Sequence, residues 1–277
     1  MNVAQALADA RALGVPRLDA QLLLARTLQR PRAWLIAHDD APLSAAQQQG
    51  FEAGCGRRAA GEPLAYVLGE REFHGLKLQV NPAVLVPRPD TETLVDWGLA
   101  LLAAMPQPAP AVADLGTGSG AIALALKHGH AAARVSAVEL SPTALEVARA
   151  NGSRLGLDVQ WHAGSWWQPL HGQRFDLVLS NPPYIAGGDA HLLALRHEPL
   201  QALSPGGDGL SALQHIVQQA APHLAPGGWL LLEHGHDQAD AVCAMLHRAG
   251  FRDVTSRTDL AGHRRCSGGR WVRAAAT

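Results

Sequence analysis

The chain has 277 residues, 47% of them apolar, with 23 basic against 24 acidic residues and a formal net charge of −1. That length and apolar content specify a folded protein with a sizeable core, one large domain plus a small one, and exclude disorder. The near-neutral balance excludes the overall cationic footprint of a protein that holds duplex nucleic acid through its phosphates, although a local basic face stays open. Three scattered cysteines, Cys55, Cys243 and Cys266, exclude a disulfide framework and fit a reducing compartment. The N-terminus starts no basic-then-apolar signal segment, and the most apolar stretch, 99–105, is far short of a membrane span, so a soluble cytoplasmic protein is expected.

Helical spacing runs through Val3, Ala6, Leu7 and Ala10, then 18–28, then 34–36 before a stretch opened by Ser44. It predicts four or five short helices in a small domain over 1–70, with no constellation for chemistry and the expected task of holding a partner. Phe73, Leu76, Leu78 and Val80, then Val84 and Val86, alternate about Asn81-Pro82 and predict a linking β-hairpin over 71–89 that turns at that dipeptide. Pro87-Arg88-Pro89-Asp90-Thr91-Glu92 stiffens the chain before a helix through Leu94, Val95, Trp97 and Leu101, which Asp90 or Thr91 would cap. Arg88 and Glu92 read as surface charges. The proline-rich run 105–110 cannot be helix.

A third region, 90–277, then alternates strand and helix. Strands are predicted over 112–115, 134–140, 159–163, 175–179 and 229–233, with a helix ending near His128 and another over 143–155 that Ser141-Pro142 starts. Such alternation requires crossover connections, hence an α/β fold with a parallel sheet and helices on both faces. Segments 252–258 and 270–273 would add an edge.

Two turns carry the chemistry. Strand 175–179 ends in Ser180-Asn181-Pro182-Pro183-Tyr184. Proline lacks an N–H and pushes its predecessor out of helical space, so the strand stops in a rigid loop presenting an amide, free carbonyls and an aromatic ring together. Those parts would hold a flat, nitrogen-bearing group; alone they fit a proline turn at a sheet edge equally well. The second turn, Gly116-Thr117-Gly118-Ser119-Gly120, lies at a strand-to-helix junction, where open α/β sheets bind ligands. Its glycines permit positive φ and let a ligand approach the backbone. Glu139 ends the next strand, about twenty residues on, where a carboxylate can accept both hydroxyls of a ribose.

The third glycine comes one position too early for a dinucleotide fingerprint, and Ala121-Ile122-Ala123 supplies no phosphate-loop lysine. Asp114, just before the loop, suits a ligand with a positive amino group better than a pyrophosphate. The combination favours S-adenosylmethionine over NAD or ATP. Trp161, Trp166 and Trp167 surround the end of the third strand; burial is the ordinary role of each, and Trp166 is the one expected beside an adenine. The 14 histidines include the pairs His128/His130 and His234/His236, but no further ligands stand at metal spacing and no metal is expected.

These motifs resemble a known family. Asp114 to Gly120 together with Asn181 to Tyr184 is similar to class I S-adenosylmethionine-dependent methyltransferases acting on a planar nitrogen: adenine-N6, cytosine-N4 and glutamine-N5 enzymes share that loop. Gly61-Glu62-Pro63-Leu64-Ala65-Tyr66, Arg71-Glu72-Phe73 and Leu85-Val86-Pro87-Arg88-Pro89-Asp90-Thr91-Glu92 resemble one branch, the protein-(glutamine-N5) methyltransferases of peptide chain release factors (the PrmC/HemK family). The likeness continues through 198–203 and 232–235. The Pro-Arg-Pro-Asp-Thr-Glu run discriminates most, because sister enzymes that modify a ribosomal large-subunit protein resemble Pro-Arg-Ser there.

The resemblance implies a Rossmann-like, mostly parallel sheet preceded by a helical domain and a hairpin, in a monomer. It implies methyl transfer from S-adenosylmethionine, leaving S-adenosylhomocysteine, to the side-chain amide of the glutamine in the Gly-Gly-Gln motif of a class I release factor, with no stable nucleic-acid partner and no membrane. Asn181 and the Pro182 carbonyl would accept the two amide hydrogens beside Pro183 and Tyr184, while Asp114, Gly116, Thr117, Gly118, Ser119, Gly120, Glu139, Trp166 and Asn181 would hold the cofactor. Two positions depart from the family: Glu139 stands where aspartate is common, and Ser165 where an acidic residue often precedes the tryptophan. The rival readings are an adenine-N6 nucleic-acid methyltransferase acting on a flipped base, a ribosomal-protein glutamine methyltransferase, and a nucleoside-binding scaffold without activity.

Overall fold

Asn2 starts the first helix for a local reason. Its side chain accepts the Gln5 N–H at 2.9 Å while the Gln5 side chain accepts the Asn2 N–H, a reciprocal capping box, and Ser44 does the same with Gln47. Helices α1 (Val3–Ala12), α2 (Arg17–Leu28), α3 (Arg32–Ala37), α4 (Ala45–Ala59) and α5 (Leu64–Leu68) follow, and Val3, Leu24, Leu35, Phe51 and Cys55 share a core of their own. The computed structural model, which describes residues 1–272, separates this unit, residues 1–70, from a second that begins at Arg71.

The second unit opens with the hairpin of β1 (Glu70–Phe73) and β2 (Leu76–Gln79). Its turn is His74-Gly75, with φ of 48° and 77°, the doubly left-handed geometry whose twist suits a two-residue hairpin. The predicted turn, Asn81-Pro82, is therefore corrected: it lies beyond β2, where Asn81 caps the Ala83 and Val84 N–H groups, and Val84 and Val86 are buried in a loop that joins no strand. Alternating burial, which a packed loop shares with a strand, produced the misplacement. A single 3₁₀ turn, Pro89–Thr91, leads into α6 (Glu92–Ala104), and Thr91 makes no capping bond. Arg88 and Glu92 are not idle surface charges: Arg88 pairs with the buried Glu198, which also accepts the Val86 N–H at 3.0 Å, and Glu92 accepts the His74 N–H at 3.2 Å.

The remaining elements are β3 (Ala111–Leu115), α7 (Ala121–Gly129), β4 (Arg134–Glu139), α8 (Pro142–Leu155), β5 (Gln160–Ala163), β6 (Phe175–Ser180), α9 (His191–Ala194), α10 (Leu200–Leu203), α11 (Ser211–Gln219), β7 (Leu224–Glu233), α12 (Ala239–Arg248), β8 (Phe251–Thr258) and β9 (Arg264–Trp271). Ser141 caps α8 through the Ala144 N–H, with Pro142 at its first position. Among the described residues β3 to β9 form a seven-stranded sheet in the order β5-β4-β3-β6-β7-β9-β8, parallel except for β9, which runs antiparallel to both β7 and β8. The last strand starts well before the predicted 270, and Arg273 lies outside the described residues. Gly268 and Gly269 hid it, breaking the apolar alternation; at Gly268 a Cβ would stand 2.8 Å from the Leu230 carbonyl oxygen, so only glycine fits against β7.

Val112, Leu177, Leu179 and Leu231 pack on the side of α6 and α7, while Leu115, Val178, Leu230 and Leu232 pack on the side of α11 and α12. Both faces are thus covered, as a parallel sheet requires. The chain leaves β3 toward β4 on one side and returns to β6 on the other, which opens a crevice above β3.

Candidate active site

Strand register alone assembles the site. Leu115 on β3 pairs with Val138 on β4 and with Ser180 on β6, and Ser180 pairs with Leu232 on β7. One residue beyond that row stand Glu139, Gly116, Asn181 and Glu233. A cleft opens there, walled by Gly116 to Ser119, Glu139, Trp166, Asn181 and Pro183, with Arg88, Thr91, Pro199 and Gln201 at its other side. The two turns singled out from the sequence therefore share one cavity.

Gly116, Gly118 and Gly120 have φ of 73°, 57° and 84°, a conformation that strains any side chain bearing a Cβ. A Cβ at Gly118 would meet nothing within 4 Å, whereas one at Gly116 would stand 3.1 Å from the Trp166 ring. Gly118 thus leaves its side of the loop open, and Trp166 fills the other. Glu139 braces the loop, its Oε2 accepting the Gly118 N–H and its Oε1 the Ser141 N–H, both at 2.9 Å. Its carboxylate keeps lone pairs for the cleft. Of the three tryptophans, Trp167 is buried with Nε1 donating to the Ile216 carbonyl, Trp161 packs at Gly120 and Gly152, and Trp166 reaches the cleft.

Asp114 is fully buried beneath the loop. Its Oδ2 accepts the Thr117 hydroxyl at 2.6 Å and the Ala123 N–H at 3.2 Å, tying β3 to the loop and to the start of α7. Burial pushes its carboxyl up to about 7 against the pull of both hydrogen bonds, and Glu139 adds to the rise. Oδ1 has no hydrogen-bond partner among the described residues. An open backbone cradle, a carboxylate at the end of β4 that can accept from hydroxyls and a spare buried carboxyl oxygen are the groups that a ligand with a ribose and an ammonium would use.

The asparagine loop is held from several directions. Ser180 donates to the Leu115 carbonyl at 2.6 Å, and Asn181 Nδ2 donates to Thr91 Oγ1 at 3.2 Å. Pro182 is buried; Tyr184 packs against the core on the α11 and α12 side of the sheet, its hydroxyl donating to Glu233 Oε1 at 3.3 Å. The Tyr184 carbonyl accepts from Gln238 Nε2 at 3.0 Å, and Gln238 Oε1 in turn accepts the Gly235 N–H. Burial, reinforced by Glu233, pushes the Tyr184 phenol upward, and burial lifts Glu233 to about 7. Thr91 was expected only as a helix cap, and Glu198, Gly209, Glu233 and Gln238 had no assigned role from sequence. Gly209 and Gln238 carried no signal at all, because what they do is touch Tyr184 from a distant part of the chain.

Residues 2–69 match the PrmC N-terminal domain and residues 91–248 the methyltransferase small domain. A release factor glutamine methyltransferase of Bordetella pertussis is 51% identical over 92% of this chain and 95% of its own length. The chain belongs to the release factor glutamine methyltransferase family. Family members from Burkholderia pseudomallei and Coxiella burnetii are 48% and 42% identical, covering 94% and 89% of this chain and the same shares of their own. Solved structures extend the likeness of fold at low identity. A Pyrococcus furiosus methyltransferase superposes with a TM-score of 0.53 at 20% identity over 72% of this chain and 90% of its own, and the hMettl16 catalytic domain with 0.59 at 17% over 81% and 84%. This family member therefore has the class I methyltransferase fold. No helix among the described residues is long and apolar enough to cross a membrane.

Proposed function

We propose that this protein transfers a methyl group from S-adenosylmethionine to the side-chain amide of the glutamine in the Gly-Gly-Gln motif of class I release factors. The observation that carries the reading is that register sets the Gly116 to Gly120 turn, Glu139 and the Asn181 loop around one cleft, in a chain of this family. When bound, S-adenosylmethionine supplies an electrophilic methyl group on a sulfonium. Gly118 would give the backbone access it needs, Glu139 would accept from its ribose, Trp166 would pack at its base, and Asp114 would hold the loop in shape with one oxygen spare for an ammonium. A Thermus thermophilus rRNA methyltransferase of the same fold, TM-score 0.56 at 20% identity over 74% of this chain and 50% of its own, was solved with AdoMet, in line with that choice of cofactor.

An amide nitrogen is a poor nucleophile because its lone pair is delocalised into the carbonyl. Asn181 Oδ1 and the Pro182 carbonyl accept its two hydrogens, which orients the nitrogen and raises its electron density, while Tyr184 supports the planar group. Positioning of this kind supplies on the order of 7–11 kcal/mol in favourable cases, so no covalent intermediate and no strong base are required. The product's extra proton leaves to solvent. The helical unit, residues 1–70, carries no such chemistry and serves to hold the protein substrate, and a substrate drawn from translation places the work in the cytoplasm.

A tritiated-methyl transfer assay decides the matter, comparing a purified release factor, the same factor with its motif glutamine changed to alanine, and DNA. Label on the first alone is expected. Label on DNA, or undiminished on the alanine variant, would overturn the reading.

A further inference from the structure

The Gly-Gly-Gln segment offers no side chain at its first two positions, so apart from the glutamine it can be held only through its main chain. Each peptide carbonyl that enters an apolar cleft leaves water and needs a hydrogen-bond donor in exchange. The wall of the cleft formed by 83–91 and 199–202 is poor in backbone donors. Pro87 and Pro199 have no N–H, and the N–H groups of Ala83, Val84, Thr91 and Ala202 are spent on Asn81 Oδ1 and on the carbonyls of Asn81, Arg88 and Pro199.

Arg88 is the exception. Among the described residues lining the cleft it is the single Lys or Arg, and a guanidinium carries more N–H donors than one partner can use. One of its terminal nitrogens donates to Glu198 Oε1, while Glu198 Oε2 accepts the Val86 N–H at 3.0 Å. The Glu198 side chain is 2% exposed and that of Arg88 38%, so the pair has one end sealed in the protein and the other open. Stripping a buried carboxylate of its cation is costly, which keeps the guanidinium at this spot instead of adrift in solvent. Glu198 is itself held in place. Helix α10 follows it, and the Leu203 carbonyl at the end of that helix accepts the Ile185 N–H at 2.9 Å, tying this wall to the asparagine loop. Gln201, the other long donor here, is exposed and uncharged, and no side-chain partner fixes it among the described residues.

We propose that Arg88 anchors the main chain of the Gly-Gly-Gln segment by donating to one of its peptide carbonyls, and that Glu198 is the positioning residue that holds the guanidinium there. The proposal rests on the substrate reading above. The main chain, not the reacting side chain, is the partner for an electronic reason. A cation on the glutamine side-chain carbonyl would draw the nitrogen lone pair further into that carbonyl and oppose attack on the methyl group. On a peptide carbonyl the same cation holds the segment without deactivating its nitrogen. Arg88 therefore contributes to affinity for the release factor and not to the chemical step.

The test titrates a purified release factor in steady-state methyl transfer, with calorimetric S-adenosylhomocysteine affinity and melting curves, for R88K, E198Q, R88K/E198Q and R88M/E198Q. R88K keeps Glu198 partnered, but a point-like ammonium cannot serve the carboxylate and a carbonyl together as a planar fork does. R88M/E198Q removes both charges, so neither variant strands a buried carboxylate. Both are expected to raise KM for the factor about 10- to 100-fold, the loss of one charged hydrogen bond, with kcat and S-adenosylhomocysteine affinity within about threefold. E198Q alone should raise KM about three- to tenfold and add no further rise to R88K, because Glu198 acts through Arg88. An unchanged KM in R88K and R88M/E198Q would overturn the anchor alone. So would a fall in kcat at constant KM, which would put the guanidinium on the reacting amide. A further KM rise on adding E198Q to R88K would overturn the role of Glu198. No transfer by the wild-type chain to the factor's glutamine would overturn the substrate reading, and the anchor with it.

Discussion

Gly209 lies far in sequence from the asparagine loop, yet it leaves room for the Tyr184 carbonyl. Its φ is 81°, and a Cβ built on it would fall well inside contact distance of the Tyr184 carbonyl oxygen and 3.0 Å from Gln238 Nε2. Gly209→Ala thus incurs two costs. Left-handed backbone on a residue with a Cβ costs roughly 1–2 kcal/mol, and overpacking against fixed backbone adds about 1–3 kcal/mol. Together these correspond to a fall in Tm on the order of 5–15 °C for a domain of this size. To relieve the clash the Tyr184 carbonyl must shift on the order of an ångström, a displacement that costs about 10²-fold in rate when it reaches a reacting group. The Gln238 hydrogen bond breaks and the loop that ends in Tyr184 tilts, while the Gly116 to Gly120 turn, on another strand end, is untouched. The assay pairs kcat for transfer to a release factor with calorimetric S-adenosylhomocysteine affinity and a melting curve. The expected pattern is kcat down about 10²-fold with cofactor-product affinity within about twofold. Gln238→Ala, which deletes the bond without adding an atom, should show a milder loss of the same kind. Wild-type kcat in both variants would refute the reasoning that Tyr184 is set from behind.

Asn181→Ala should leave S-adenosylhomocysteine binding nearly intact in calorimetry while removing transfer, because the residue acts on the geometry of the accepting nitrogen; parallel loss of both would reassign it. Gly118→Val meets no neighbour but carries φ of 57° and projects into open space, so its strain and bulk should weaken cofactor-product affinity at least tenfold, by calorimetry, before they affect folding. Asp114 keeps its proton in the folded protein to about pH 7, far above the 3.8 of an ordinary aspartate. The folded state then binds more protons than the unfolded one across that interval, and this group's stabilisation is lost as pH rises from about 4 through 7. Melting curves at pH 5 and pH 7.5 should accordingly fall less steeply with pH in Asp114→Asn than in wild type, and an equal slope would contradict the assignment.

Much of this molecule was legible before any coordinate. Strands 112–115, 134–140 and 175–179 are short apolar runs between turn residues and helical stretches, and burial on both faces of a parallel sheet writes that pattern directly. The Gly116 to Gly120 turn and Asn181 to Tyr184 were readable because glycine and proline restrict or free the backbone wherever they occur. The hairpin turn was not, since His74 carries no turn signature and Asn81-Pro82 does. Arg88 and Glu198 read as unrelated charges, for their pairing joins segments more than a hundred residues apart. Contacts across shorter spans, 54 residues for Gln238 and about half that for Gly209, likewise hid what sits behind Tyr184.

The division between sequence and tertiary structure follows range. By itself the sequence determined the local chemistry: which loops are rigid, where an amide and a carboxylate stand, and where a glycine turn lets the backbone be approached. Only the tertiary structure decided that Leu115 pairs with both Val138 and Ser180, which sets Glu139, Gly116 and Asn181 side by side, and that Thr91 lies against Asn181. Register is a property of paired strands, and a raised carboxyl pKa is a property of what excludes water around it. Neither exists until distant segments have packed together.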